Sequence, residues 1–192
     1  MKPVLDCHIH TVSSGHAYST VTECARAASG RGLTLIAMTD HAPAMPGGAH
    51  LFHFQNLRVL PQALFGVRLL RGAEVNILDF DGTLDLEERV LRELDLVIAS
   101  LHGPCYRSGT REENTRAVVA AMRNPRVHVL GHPDDSRMPL DLETVAKVAA
   151  QTGTLLEVNN SSLMPTSFRA NARENYEELL EHAVRYGARI IL

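Results

Sequence analysis

Apolar residues come in short runs along this chain, each followed by a polar residue able to bind metal and then by a stretch with helical spacing. The runs cover residues 3–7, 33–38, 67–70, 94–99, 127–130, 154–158 and 188–192, and most are rich in Val, Ile and Leu. Short, nearly continuous apolar runs of this kind predict strands buried on both faces, as in a parallel sheet. Between them lie predicted helices. The first opens with the capping-box pattern Thr20-Val21-Thr22-Glu23 and closes near Gly30 and Gly32. Another runs from Thr110-Arg111-Glu112-Glu113 to Asn124-Pro125, and Asp141 caps a third that ends at Gly153. The last covers about 171–186 and stops at Gly187. Residues 53–65 are read as helical despite Pro61, and 86–93 as a short helix.

Seven strands alternating with helices imply parallel pairing with right-handed crossovers, in an open sheet or a closed barrel. The polar residues separate the two. His8 and His10 follow the first run, His41 the second, Glu74 the third, His102 the fourth and His132 the fifth. Candidates at five consecutive strand ends converge on one point only if the sheet closes, because a barrel gathers all strand C-termini around one mouth. An open sheet would spread them along an edge. The expectation is therefore an α/β chain, a distorted β/α barrel of seven strands, forming one domain over residues 1–192 with its site at the C-terminal mouth.

Composition narrows the function classes. Hydrophobic residues make up 45% and charged residues 21%, ordinary for a globular protein. No stretch approaches the roughly 20 apolar residues that span a bilayer, and the N-terminus lacks a secretory h-region, so a cytoplasmic location is expected. A net charge of −3 argues against a large nucleic-acid footprint. Cys7, Cys24 and Cys105 show no CxxC pairing, which suits reduced thiols. The anomaly is ten histidines, several in short recurring contexts.

His8-Ile9-His10 places two imidazoles on one side of an extended chain, where they can grip one ion. A carboxylate such as Glu74 adds oxygen to a nitrogen set suited to zinc, manganese or iron, and a carboxylate can bridge two ions. Two bridged ions about 3.5–4 Å apart would clamp a phosphoryl group and activate water. A lone histidine at a strand end is more often structural, but five strand ends repeating the pattern favour metal. His16 lies in a loop over the mouth, as ligand or lid contact. His50 and His53 are read as surface or substrate-side residues, and His128 and His182 as unremarkable positions. Arg107, Arg137, Asn159 and Asn160 are candidate phosphate contacts, although a surface arginine is more often merely solvated. Asp79-Phe80-Asp81-Gly82-Thr83 imitates the nucleophile motif of haloacid-dehalogenase-type phosphatases, with a tight turn as the plainer reading. An amidohydrolase would want a bridging lysine on the fourth strand, and the only lysines are Lys2 and Lys147.

These residues carry a resemblance. Asp6-Cys7-His8-Ile9-His10-Thr11, Gly15-His16-Ala17-Tyr18-Ser19 and Thr39-Asp40-His41 resemble the PHP (polymerase and histidinol phosphatase) domain family. Arg71-Gly72-Ala73-Glu74-Val75-Asn76, Ala99-Ser100-Leu101-His102 and Leu130-Gly131-His132-Pro133 extend it. Glu157-Val158-Asn159-Asn160-Ser161-Ser162, with the His16 loop, is most similar to the YcdX-type phosphatases. The resemblance covers essentially the whole chain. It implies a trinuclear site in which His8, His10 and Glu74 hold the first ion, Glu74 with His102 and His132 the second, and His16 with His41 the third. Two to three divalent ions are expected, zinc first, with manganese or iron as alternatives. The implied reaction is hydrolysis of a small phosphorylated metabolite by metal-activated water, without a covalent intermediate. Alternatives are a PHP-type exonuclease or phosphodiesterase and a non-catalytic metal-binding module. The family's Asp-x-His motif after the seventh strand would fall beyond Leu192, so the end of the barrel is expected to be missing, with one ligand each from the first and third ions. Oligomeric state, the ion and the leaving group are left open.

Overall fold

The computed structural model describes residues 4–192, so Pro3 of the first predicted run lies outside it. Two compact units emerge, one of residues 4–75 with Asp85–Ile98, the other of Asn76–Leu84 with Ala99–Leu192. The first contains β1 (Leu5–Ile9), α1 (Val21–Arg31), β2 (Leu35–Met38), α2 (Leu51–Asn56), β3 (Ala63–Leu64), β4 (Val67–Asn76, all but its last residue), α3 (Glu88–Leu91) and the start of β5 (Leu96–Ser100). The second contains the end of β5, α4 (Arg111–Met122), β6 (Val129–Leu130), α5 (Leu142–Thr152), β7 (Leu155–Glu157), α6 (Ala172–Tyr186) and β8 (Ile190–Ile191).

In the first unit β1 pairs with β2, and β2 with β4, both parallel, with Ile36 opposite Leu69. The capping box of α1 forms as its sequence requires. The Glu23 N–H donates to Thr20 Oγ1, and the Thr20 N–H donates to Glu23 Oε2 at 2.8 Å. Ala25 and Ala28 of α1 pack on Ile36, Met38, Val67 and Leu69, small helix residues letting the helix sit close to the sheet.

Two expectations change here. The helix predicted over 53–65 is short: α2 ends at Asn56, a 3-10 turn covers Leu57–Val59, and β3 then pairs antiparallel with β4. Pro61 supplies no N–H to continue a helix. Phe65 at φ 52° and Gly66 at φ 77° then make the two-residue hairpin turn that positive φ at both positions favours. The third predicted strand, 67–70, is in fact ten residues long and reaches Glu74 and Asn76. Arg71 and Gly72 end the apolar run in the sequence without ending the strand. Gly72 is required for close packing, since a Cβ there would lie 2.8 Å from both Leu96 O and Thr39 Cγ2.

In the second unit β6 pairs with β7 and β7 with β8, again parallel. The apolar stripe Leu142, Val145, Ala146 and Ala149 of α5 is buried, as are Tyr176, Leu179 and Ala183 of α6, which packs on α5. Residues Asn76–Leu84 form a hairpin closed by an antiparallel bridge between Ile77 and Leu84. Asp79 Oδ1 accepts from the N–H groups of Asp81 and Thr83, so the dehalogenase-like motif is a turn whose carboxylate is occupied by its own backbone. Among the described residues no helix is long and apolar enough to cross a membrane.

Candidate metal centre

Five of the predicted ligands come together in the first unit. His8 lies in β1, His10 one residue past its end, and His16 in the loop leading to α1. His41 follows β2 and forms a parallel bridge with Glu74 of β4. The Glu74 side chain is 1% exposed, and its Oε2 lies 3.3 Å from His8 Nε2, 3.4 Å from His10 Nε2 and 2.8 Å from His41 Nδ1. Ring centroids are 4.3 Å apart for His10 and His41, 4.8 Å for His10 and His16 and 4.9 Å for His16 and His41. One ligating atom from each of His10, His16 and His41 fits within a 4.8 Å spread.

This arrangement fits a metal. Two ligands held tetrahedrally at about 2.0–2.1 Å from one ion sit about 3.3–3.4 Å from each other, which is the separation of Glu74 Oε2 from the His8 and His10 nitrogens. Burial lowers the pKa of His16, and its neighbours His10 and His41 lower it further against the opposing pull of Glu74 and Asp40. The neutral imidazole so favoured is the form that ligates.

Beside the cluster lies Asp40, 1% exposed. Burial pushes its carboxyl up, but hydrogen bonds from His53, the Thr11 N–H and the Ser14 and Thr11 hydroxyls outweigh that and bring it down to about 2. His53, read as a surface or substrate-side residue, points Nε2 at Asp40 Oδ2 from 3.3 Å. His50 caps α2, its Nδ1 accepting from the Phe52 N–H.

The second unit holds the remaining two predicted ligands, with ring centroids 5.3 Å apart. His102, just after β5, has Nδ1 2.7 Å from Asn76 Oδ1. An amide oxygen only accepts, so Nδ1 carries a proton, and in the neutral imidazole the lone pair is on Nε2. His132, after β6, adopts φ 29°, where a residue with a side chain is strained. Its N–H donates to Glu157 Oε2 at 2.7 Å, and its Nδ1 accepts from Arg169 Nη1 at 2.9 Å. Arg169 also lies 3.9 Å from Asp134, a fully buried carboxylate whose pKa burial raises and Arg169 partly restores.

Two comparisons define the relationship. The PHP domain family matches residues 6–188. A probable phosphatase of Thermoanaerobacter sp. (strain X514) is 50% identical over 99% of this chain and 77% of its own length. The chain belongs to the PHP domain family. A probable phosphatase of Acetivibrio thermocellus is 46% identical, covering 100% of this chain and 78% of that one. Among solved structures, the histidinol phosphate phosphatase of Lactococcus lactis, complexed with zinc, L-histidinol and phosphate, superposes with a TM-score of 0.60 at 21% identity, over 97% of this chain and 84% of that one. That likeness is one of fold, and it bears out the distorted β/α-barrel class read from the alternation of strands and helices.

The four predicted substrate contacts of this PHP chain are placed unevenly. Arg137 is paired with Asp135 and lies over the Phe168 ring, 5.0 Å from its centroid. Arg107 and Asn160 are exposed. Asn159 caps a 3-10 turn, its Oδ1 accepting from Ser161, and its Nδ2 reaches Glu157 Oε1. Sequence reasoning missed Asn76, Glu157, Arg169 and the role of Asp40. Asn76 was findable, two residues beyond Glu74 on one face of a strand. Glu157, at the end of a predicted strand, was findable on the same rule as Glu74. Arg169 stands in a loop with no such signal.

Proposed function

We propose that this chain is a metal-dependent phosphatase acting on small phosphate monoesters, with residues 1–192 working as one domain. The observation that carries this reading is the buried Glu74 carboxylate among His8, His10 and His41. Such a carboxylate, surrounded by nitrogen donors and closed to water, is costly to maintain without a cation. The relatives named as probable phosphatases, and the zinc and phosphate of the Lactococcus lactis enzyme, support the same reaction class.

In this reading two to three divalent ions bind, zinc before manganese or iron. His8, His10, His16, His41 and Glu74 would hold ions in the first unit, and His102 and His132 would serve as ligands in the second, His132 only once its ring proton moves to Nδ1 and the Arg169 contact that now takes that lone pair is given up. The bound ions would polarise the phosphoryl oxygens and lower the pKa of water toward about 7, making it a nucleophile at neutral pH. The protein's own groups do the rest. Asn76 presents His102 with Nε2 unprotonated, and Glu157 holds the His132 backbone in its strained turn. Arg169, with Arg107, Arg137, Asn159 and Asn160 as weaker candidates, offers positive charge or amide donors to a substrate phosphate. A reducing, cytoplasmic setting goes with this reading, since Cys7, Cys24 and Cys105 form no disulfide.

The test is elemental analysis of the purified chain, followed by a phosphomonoester screen. Two or more zinc, manganese or iron ions per chain, lost in Glu74→Gln together with activity, are expected. A chain that holds no metal and cannot be loaded would overturn the assignment.

A further inference from the structure

Asp40 is adjacent to a predicted ligand, yet the metal reading gives it no task. Its carboxylate collects four donors. Oδ1 accepts from the Thr11 N–H at 2.7 Å and from the Ser14 hydroxyl at 2.7 Å. Oδ2 accepts from the Thr11 hydroxyl at 2.7 Å and faces His53 Nε2 at 3.3 Å. Four donors fill the lone-pair positions of a carboxylate, so the group is fixed on all sides.

The consequence lies at Ser14, which is 0% exposed. Its only proton goes to Asp40. Its oxygen can then only accept, and it has room for two bonds. One comes from the His41 N–H at 2.9 Å. The other partner is His10 Nδ1 at 3.3 Å. Since the hydroxyl has no second proton to give, that nitrogen must be the donor. His10 is thereby held with a proton on Nδ1, so that in the neutral imidazole the lone pair falls on Nε2, the atom that faces Glu74. A neutral imidazole free in water prefers the opposite form, with the proton on Nε2.

The geometry points to Ser14, anchored by Asp40, as a positioning residue that sets the tautomer of His10 and leaves Nε2 open to a metal ion. This inference rests on the metal reading above and deepens it. The pair act through His10 and through the backbone of His41, and neither touches substrate. His53 and Thr11 fix Asp40 in turn, which ties the tenth residue of the chain to a histidine 43 positions later through the side chains of Ser14 and Asp40. Partners that orient a ligating histidine in this way typically cost about 10–100-fold in metal affinity when removed.

The test is a two-bond proton–nitrogen correlation spectrum of the zinc-free, histidine-labelled full chain at about pH 8, in wild type and in Ser14→Ala, with a zinc titration of each. His10 should show the Nδ1–H form in wild type and lose it in Ser14→Ala, whose zinc affinity should fall about 10–100-fold. Asp40→Asn, which keeps the shape but takes away one acceptor oxygen, should move His10 in the same direction. Wild-type His10 in the Nε2–H form, an unchanged tautomer in Ser14→Ala, or zinc affinity within about twofold of wild type despite a changed tautomer would each overturn the inference. Wild type that binds no zinc would instead sink the metal reading itself, and the inference with it, and that result is read from the titration alone.

Discussion

The imidazoles of the two units face different partners. In the first unit three imidazoles face one buried carboxylate, Glu74, and a second carboxylate, Asp40, stands behind them. In the second, His132 is met by a guanidinium, Arg169, and His102 by a neutral amide, Asn76. The first arrangement attracts cations and gathers several donors around one point. The second sets its two imidazoles in a unit that also carries a guanidinium, a group suited to an anion such as phosphate. On the proposed reading, charge divides the work: the first unit would offer a carboxylate to metal, and the second would offer an arginine to a phosphoryl group.

Removing Glu74 tests that division most severely. Glu74→Gln should lower zinc affinity and kcat/KM by at least about 100-fold, since it removes a proposed direct ligand and even outer partners cost about 10–100-fold. His132→Ala should cost activity comparably but release fewer ions per chain, counted by elemental analysis after gel filtration. Equal metal loss in the two variants would break the comparison.

Arg169→Met probes the other unit. It leaves Asp134, which is fully buried, without its guanidinium at 3.9 Å, and removes the Arg169 Nη1 donor from His132 Nδ1. A loss of about 2–3 kcal/mol is expected, the cost of leaving a buried charge without its counter-charge. KM for a phosphomonoester should rise while bound zinc stays near the wild-type count. A urea midpoint unmoved by the substitution would show that the pair carries no stability, and an unchanged KM would remove Arg169 from substrate recognition.

Most of the strand and helix order could be read from the sequence because the apolar runs are short and the caps are strong. Thr20 with Glu23, Thr110 with Glu113, and Asp141 all cap as their spacing required. Reading failed where tertiary contacts override composition. Arg71 and Gly72 look like the end of a strand, yet the backbone hydrogen bonds of β4 continue through them, and only the packing around Gly72 explains why a glycine stands there. The candidate ligands were legible because histidine and glutamate recur at strand ends. The residues that orient them were less so. Asp40 and Ser14 are 26 positions apart and meet only through the fold, and Arg169 reaches His132 across 37 positions from an irregular loop.

A smaller effect is expected where the His16 loop is held. Gly15 donates its N–H to Gly47 O at 2.7 Å, and Gly47 sits at φ 78° with its Cβ direction 3.2 Å from Gly15 Cα. Gly47→Ala should cost about 1–2 kcal/mol for the left-handed backbone and loosen zinc at His16 more than elsewhere. The cobalt(II)-loaded protein should show an altered visible band. An unchanged spectrum alongside the stability loss would mean that the loop contact supports the fold and leaves the ion untouched.

The smallest expected effect separates scaffold from site. Asp141 caps α5, accepting from the Thr144 N–H at 3.2 Å and the Thr144 hydroxyl at 2.7 Å. The Thr144 hydrogen bond is the largest cause holding its carboxyl below the usual range, with burial opposing. A carboxyl depressed in the folded state stabilises the protein above its unfolded value, and that contribution is lost as pH falls through the folded value. Asp141→Ala should therefore cost about 0.5–1 kcal/mol at pH 7, at the lower end for a cap whose side chain is 42% exposed. The difference from wild type should shrink steadily as the pH is lowered below about 4. Zinc per chain should not change, because α5 supplies no ligand. If the variant lost zinc in proportion to stability, metal content would be tracking global folding, and the contrast drawn between the carboxylate-held and arginine-held histidines would have to be measured again at equal stability.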